Sequence, residues 1–208
     1  MSLMQLAQDE RTSFLEFLTT LSPEQWEAPT LCEGWRVRDV VAHAVSYDEL
    51  DWPGVLRRSA RGRFRLGRAN AVGVAANAQR SPEDLLQVLN AHLRPRGLTA
   101  AFGGMVALVD GMIHQQDIRR PLGLPRDIPA ERLVPTLRSA MKAPPIGAFW
   151  RARGLRLVAT DCDWSAGRGP EVRGAGEAIL MAVAGRRGVV QELSGEGQGT
   201  LAGRIHAA

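Results

Sequence analysis

The chain has 208 residues, 45% of them apolar, with 26 basic and 22 acidic side chains and a formal net charge of +4. That length accommodates one large domain or two small ones with a sizeable core, and that apolar share excludes a disordered chain. Only two cysteines are present, Cys32 and Cys162, which excludes a disulfide framework and a CxxC metal knuckle, and the modest net charge does not demand an acidic partner.

Leu3, Leu6, Ala7, Phe14, Leu18 and Leu21 recur at helical spacing and predict a first helix over 3–21. Asp9, Glu10 and Arg11 interrupt any signal-peptide core, and no run approaches the ~20 apolar residues of a membrane span, so a cytoplasmic protein with no membrane partner is expected. Ser22, Pro23 and Gln25 form a capping-box pattern for a short helical turn. A loop, TLCEGW, follows, with Cys32 and Trp35 expected to pack at the next helix entrance. That helix is predicted over 36–59, with Val37, Val40, Val41, Ala44 and Val45 as its apolar stripe and Asp48 projecting into the same arc.

Residues 57–68, RRSARGRFRLGR, break the periodicity. They are expected to form a solvated basic loop and not a nucleic-acid site, since Phe64 is their only aromatic. Ser81 and Pro82 start a helix carrying Leu85, Leu86, Leu89 and Leu93, and another is predicted over 99–118 with Phe102, Met105, Val106, Val109 and Ile113 as its stripe. Four long helices in the first ~120 residues imply an antiparallel four-helix bundle. The remainder changes character. AERLVPTLRSAM and AGEAILMAVAG read as helices, GLRLVATDCDW as a strand, and GPEVRG as a short partner strand. The predicted architecture is mainly α: a bundle over 1–125, followed by a small α/β domain over 126–208.

The chemistry concentrates on VDGMIHQQDIRRPLGLP, residues 109–125. Spacings of four and three put Asp110, His114 and Asp117 on one side of a helix, at the edge of its apolar stripe. His43 lies at the edge of the stripe on the 36–59 helix, so the two edges could face each other. Two imidazoles and one carboxylate with an open position make the ligand set of a catalytic dication site. The same residues could instead be boundary histidines paired with Asp39 and Asp117. Asp117 has a further choice, between orienting His114 and pairing with Arg119 or Arg120, and the pairing is the expectation. Tyr47, the only tyrosine, is expected to pack its ring.

Two stretches, TLCEGWRVRDVVAHAVSYD at 30–48 and DGMIHQQDIRRPLGLP at 110–125, resemble the mycothiol-dependent maleylpyruvate isomerase family of the DinB-like superfamily. The tail LRLVATDCDWSAGRGPEVRGAGEAILMAVAGR resembles that family's C-terminal domain. The resemblance implies a DinB-like bundle whose metal ligands fall on His43, Asp110 and His114, with Asp39 and Asp117 able to orient a ligand histidine from behind. The family usually has glutamate where this chain has Asp110, one methylene shorter. The implied cofactors are a divalent metal, zinc ahead of nickel, and mycothiol as thiol co-substrate. The implied activity is a metal-dependent thiol S-transferase or cis/trans isomerase acting on a small electrophile. The alternative is a non-catalytic metal- or ligand-binding protein on the same scaffold. Partners are then a small-molecule electrophile and a low-molecular-weight thiol, and a second copy of the chain in a homodimer.

Overall fold

In the computed structural model, residues 1–206 are described, and the chain divides into two compact units, Met1–Pro125 and Arg126–Ala208. In the first unit, α1 (Leu3–Leu18) is capped by Ser2, whose hydroxyl accepts from the Gln5 N–H, and ends at Thr19. The Ser22/Gln25 capping box is present and starts the one-turn helix α2 (Pro23–Trp26). The next helix is not continuous over 36–59. It divides into α3 (Val37–Val45) and α4 (Trp52–Arg61), separated by a turn at 46–51. Asp51 accepts from the Gly54 N–H and caps α4, and Pro53 sits in its first turn, where its missing N–H costs nothing.

The expected basic loop is instead a helical hairpin. α4 runs through Arg61, and α5 (Leu66–Ala76) returns after a turn in which Arg63 and Phe64 take left-handed backbone angles. The two helices meet at Gly62, where an added Cβ would lie 2.6 Å from the Ala69 backbone nitrogen. The sequence signal for α5 is weak because LGRANAVGVAA is rich in small residues and carries no stripe of large apolar ones. α6 (Pro82–Ala91) has the Ser81 cap with Asp84 completing the box. The predicted 99–118 helix is also divided. A 3-10 stretch over Gly97–Gly104 contains left-handed Phe102 and Gly103, and α7 (Met105–Leu122) begins only after them. Phe102 is therefore exposed and not part of the buried stripe.

α1, α3, α6 and α7 pack against one another as a four-helix bundle, with the α4–α5 hairpin beside α3. Phe14, Leu18, Trp26, Val37, Val40, Val41, Val45, Leu85, Leu89 and Ile118 form its core. Gly97–Leu122, counted as one segment, is apolar and long enough to cross a bilayer. It is broken at Ala101–Gly103, and its helical part is the wall of the bundle that carries buried Gln115, Gln116 and Asp117.

One buried ion pair ties this unit together. Arg11 on α1 makes two hydrogen bonds to Asp48, at 2.9 and 3.0 Å, and a third to the His92 carbonyl at 2.7 Å. Thr99 donates to the same carboxylate at 2.8 Å. The acid in the apolar arc thus marks where α3 ends and the chain turns inward.

In the second unit, α8 (Ala130–Ala140) and the short α9 (Ala148–Ala152) precede a three-stranded sheet. β1 (Arg156–Ala159) is central, antiparallel to β2 (Ser165–Gly167) and parallel to β3 (Glu171–Gly174). β2 has no pattern of its own; its three residues gain strand geometry from pairing with β1. α10 (Gly176–Val183), capped by Asp161 at 2.8 Å, is buried almost all round and packs on β1 and α8. α11 (Gln198–His206) closes the unit with Leu201 and Ile205 inward.

Candidate metal centre

α3 and α7 face each other in the bundle, and their facing sides carry the candidate ligands. His43, in the last turn of α3, and His114, in the middle of α7, are both buried, with ring centroids 4.8 Å apart and planes at 83°. Asp110 is one turn before His114, and its side chain keeps 36% of its exposure, so this edge of the site meets solvent. Its Oδ1 lies 3.3 Å from His114 Nε2 and 3.5 Å from His43 Nε2. One donor atom from each residue lies within 4.8 Å of the others.

These separations have a chemical meaning. A charge-assisted N–H···O contact is normally ~2.7–2.9 Å. Donors bound tetrahedrally at about 2.0–2.1 Å from one metal are roughly 3.3 Å apart. The spacing at Asp110 is that of neighbouring ligands on a dication. Two imidazoles and a carboxylate also suit zinc or another borderline metal. By geometry and by donor type the residues present fit such an ion.

His114 is held from behind. Its Nδ1 is 2.9 Å from Asp117 Oδ2, which leaves Nε2 directed at Asp110 and His43. Asp117 is fully buried, and its contact with His114 is the orienting choice that the sequence leaves open to it. The same Oδ2 accepts from the Cys32 thiol at 3.1 Å. Cys32 reaches it because the 30–35 loop folds tightly on itself. Thr30 bonds the Trp35 carbonyl through both its N–H and its hydroxyl, Gly34 is left-handed, and the Leu31 N–H donates to the Asp117 carbonyl. Cys32, His114 and Asp117 form a second cluster of possible donors. In that cluster the contacts of Asp117 are hydrogen bonds, and His114 Nδ1 is already engaged. The position of Cys32 beside Asp117 is not legible from spacing, since 85 residues separate them.

Asp39 does not orient His43. It accepts from the Arg36 backbone N–H and guanidinium, each at 3.0 Å, and so caps α3 at the opposite end from His43. His43 Nδ1 is buried and has no hydrogen-bond partner among the described residues. Its ring is positioned by packing instead, with Trp35 at 5.3 Å and Tyr47 edge-on at 6.2 Å. Tyr47 is more than a packed ring. Its hydroxyl donates to Asn70 at 2.9 Å, and the Arg58 guanidinium lies 4.6 Å from its centroid. Burial pushes the Tyr47 hydroxyl up, outweighing Arg58, so it remains a donor.

Charge in the centre is strongly coupled. Burial pushes the Asp110 carboxyl up, but His114 and His43 overcome it and hold the group well below the usual carboxylate range. Burial pushes the His114 imidazole down, but Asp110, Asp117 and Cys32 overcome it and hold it well above the usual histidine range.

Residues 7–102 match the family model described as the mycothiol maleylpyruvate isomerase N-terminal domain. The match lies wholly within the N-terminal unit. The matched stretch contains His43 and ends before Asp110 and His114. Two solved structures share the fold across both units: the mycothiol-dependent maleylpyruvate isomerase and a histidine-to-alanine mutant of it, with TM-scores of 0.62 and 0.61. In each case the likeness covers 93% of this chain and 91% of the other, at 16% identity. No curated protein matches the chain in sequence.

Proposed function

We propose that His43, Asp110 and His114 bind one divalent metal, zinc in first place, and that the protein is a mycothiol-linked enzyme acting on a small electrophile, with cis/trans isomerisation as the leading reaction. The observation that carries this reading is the placing of two imidazole Nε2 atoms 3.3 and 3.5 Å from one carboxylate oxygen, beside a solvent-facing edge. When bound, such a metal would hold the co-substrate thiol as a thiolate, the form able to add to an electrophilic carbon. The chain's own residues fix the geometry. Asp117 holds the His114 tautomer with its proton on Nδ1, and Asp110 supplies the single negative charge, so the three ligands leave a dication with net positive charge for an entering thiolate. Trp35 and Tyr47 wall off the His43 side from water.

The test combines metal analysis of the purified protein with turnover of maleylpyruvate in the presence of mycothiol. One equivalent of metal and mycothiol-dependent isomerisation are expected; metal-loaded protein that neither binds nor turns over mycothiol favours the non-catalytic alternative. Asp110 variants probe the ligand set in a chelator competition. Asp110→Glu restores the longer arm usual in the resembling family and is expected to keep or tighten metal binding. Asp110→Ala is expected to weaken it by at least about tenfold, and wild-type affinity in that variant removes Asp110 from the ligand set.

Proton and metal compete for His114, which sets a pH dependence. The raised His114 value stabilises the metal-free fold below about pH 6.5, and this is lost as pH rises through that value; the depressed Asp110 value stabilises it above about pH 3.8, lost only as pH falls through it. Metal displaces the His114 proton. The difference in melting temperature between zinc-loaded and chelator-treated protein is therefore expected to be larger at pH 8.5 than at about pH 5.5. An equal difference at both values removes His114 from the proton–metal competition.

A further inference from the structure

The α4–α5 hairpin is built inside out. On α4 the buried positions are Gly54 and Arg58, whereas Trp52 and Leu56, one turn apart, are each 63% exposed. Beyond the helix, Phe64 is 75% and Leu66 52% exposed. Phe64 and its neighbour Arg63 both hold left-handed backbone angles, which side-chain-bearing residues rarely adopt, and both side chains point to solvent. The turn's backbone is closed by the Phe64 N–H to the Ser59 carbonyl and the Arg63 N–H to the Ala60 carbonyl, but both side chains are left exposed.

Charge identifies a partner. From Trp52 to Pro82 there are seven arginines and no aspartate or glutamate. Arg57, Arg61, Arg63, Arg65 and Arg68 are all exposed around the apolar side chains. Only Arg57 has a carboxylate in reach, the exposed Asp51 at 3.9 Å; Arg61, Arg63, Arg65 and Arg68 have none among the described residues. Tryptophan, phenylalanine and leucine set among arginines on a short amphipathic helix and its turn match an interface that offers anionic headgroups and hydrocarbon at adjacent depths. A nucleic-acid strand supplies the anions but has no use for exposed leucines; a second copy of this chain would need a facing row of carboxylates.

We propose that the α4–α5 hairpin seats this protein on the surface of an anionic lipid bilayer, with Trp52, Leu56, Phe64 and Leu66 entering the headgroup boundary and the surrounding arginines on lipid phosphates. This binding is independent of the metal centre and runs against the absence of a membrane partner expected from the sequence.

The experiment is flotation of the full-length protein with phosphatidylcholine vesicles, with and without phosphatidylglycerol, in the presence of chelator. Binding is expected only with phosphatidylglycerol, and it weakens as salt is raised. Each arginine near such a surface contributes about fivefold, so Arg61→Gln with Arg65→Gln lowers partitioning by roughly 25-fold. Trp52→Ser with Leu56→Ser removes it, while solution melting temperature and metal content stay at wild-type values. Three results overturn the proposal: no binding to phosphatidylglycerol vesicles; equal binding to neutral and anionic vesicles; or vesicle binding that survives the serine pair. Concentration-dependent dimerisation abolished by the serine pair, without vesicle binding, would make a second copy the occupant. Retention of a DNA oligonucleotide, without vesicle binding, would make it nucleic acid.

Discussion

His114→Ala protein is expected to emerge without metal and without thiol-linked turnover. The substitution removes the proposed ligand whose Nε2 faces Asp110 and whose Nδ1 meets Asp117, with Cys32 at 3.7 Å. A change at a group that only orients a ligand costs about 10–100-fold in metal affinity, and Asp117→Ala belongs in that range. Loss of a ligand itself exceeds it, so the His114 variant should fall more than a hundredfold, about 2.7 kcal/mol, below wild type. Metal content per chain and a chelator titration read the two variants side by side. Circular dichroism melting of the metal-free proteins separates loss of metal from loss of fold. A folded His114→Ala protein that retains wild-type metal affinity would sink the ligand assignment.

Arg11→Met is expected to destabilise the N-terminal unit by about 3–5 kcal/mol, enough to lower its melting temperature by roughly 10 °C or more. The cost does not come from the net strength of the ion pair. Burial pushes the Asp48 carboxyl up, and Arg11 and Thr99 pull back only part of that, so the carboxylate is tolerated inside and no more. Remove the guanidinium and a buried charge is left with one hydroxyl. The double variant Arg11→Met with Asp48→Leu, which removes both charges, should recover most of the loss. A single variant as stable as wild type would mean that water reaches Asp48 as readily in the fold as outside it.

Much of this was open to inspection in the sequence, and the reasons differ from residue to residue. The long bundle helices are legible because Leu, Val and Phe recur with the helical period, and Ser81 announces the start of α6 as Ser22 does that of the one-turn α2. His43, Asp110 and His114 are legible as candidates because their spacing puts them at stripe edges and the family resemblance then selects them over the boundary-histidine reading. The division of the 36–59 helix has a signal that periodicity hides. Asp48 inside an apolar arc and the Asp51–Trp52–Pro53 cap both mark a new start, but the stripe on either side keeps the same period. α5 carries no stripe at all, since alanine and glycine let it pack closely without one. Left-handed Phe102 leaves no trace in the pattern and turns a nominal core aromatic outward. The separate roles of Asp117 and Asp39 are not fixed by spacing, for a related reason. Local spacing offers each of them an arginine and a histidine, and only the approach of the 30–35 loop decides that Asp117 faces inward and Asp39 serves the helix end.

On the ribosome the bundle cannot close until its last helix has been made. α1, α3 and α6 emerge first, and Phe14, Val41 and Leu89 line a trough with no fourth wall. The salt link from Arg11 to Asp48 can already form at that stage, since all its partners, through Thr99, precede α7. His43 is made early as well, but it meets no counterpart until synthesis passes position 114. A nascent chain paused before then is a three-helix species with an open apolar face, the kind of intermediate that recruits a chaperone. When α7 arrives, Ile118 and Leu122 cover the trough in the same movement that brings Asp110 and His114 to His43.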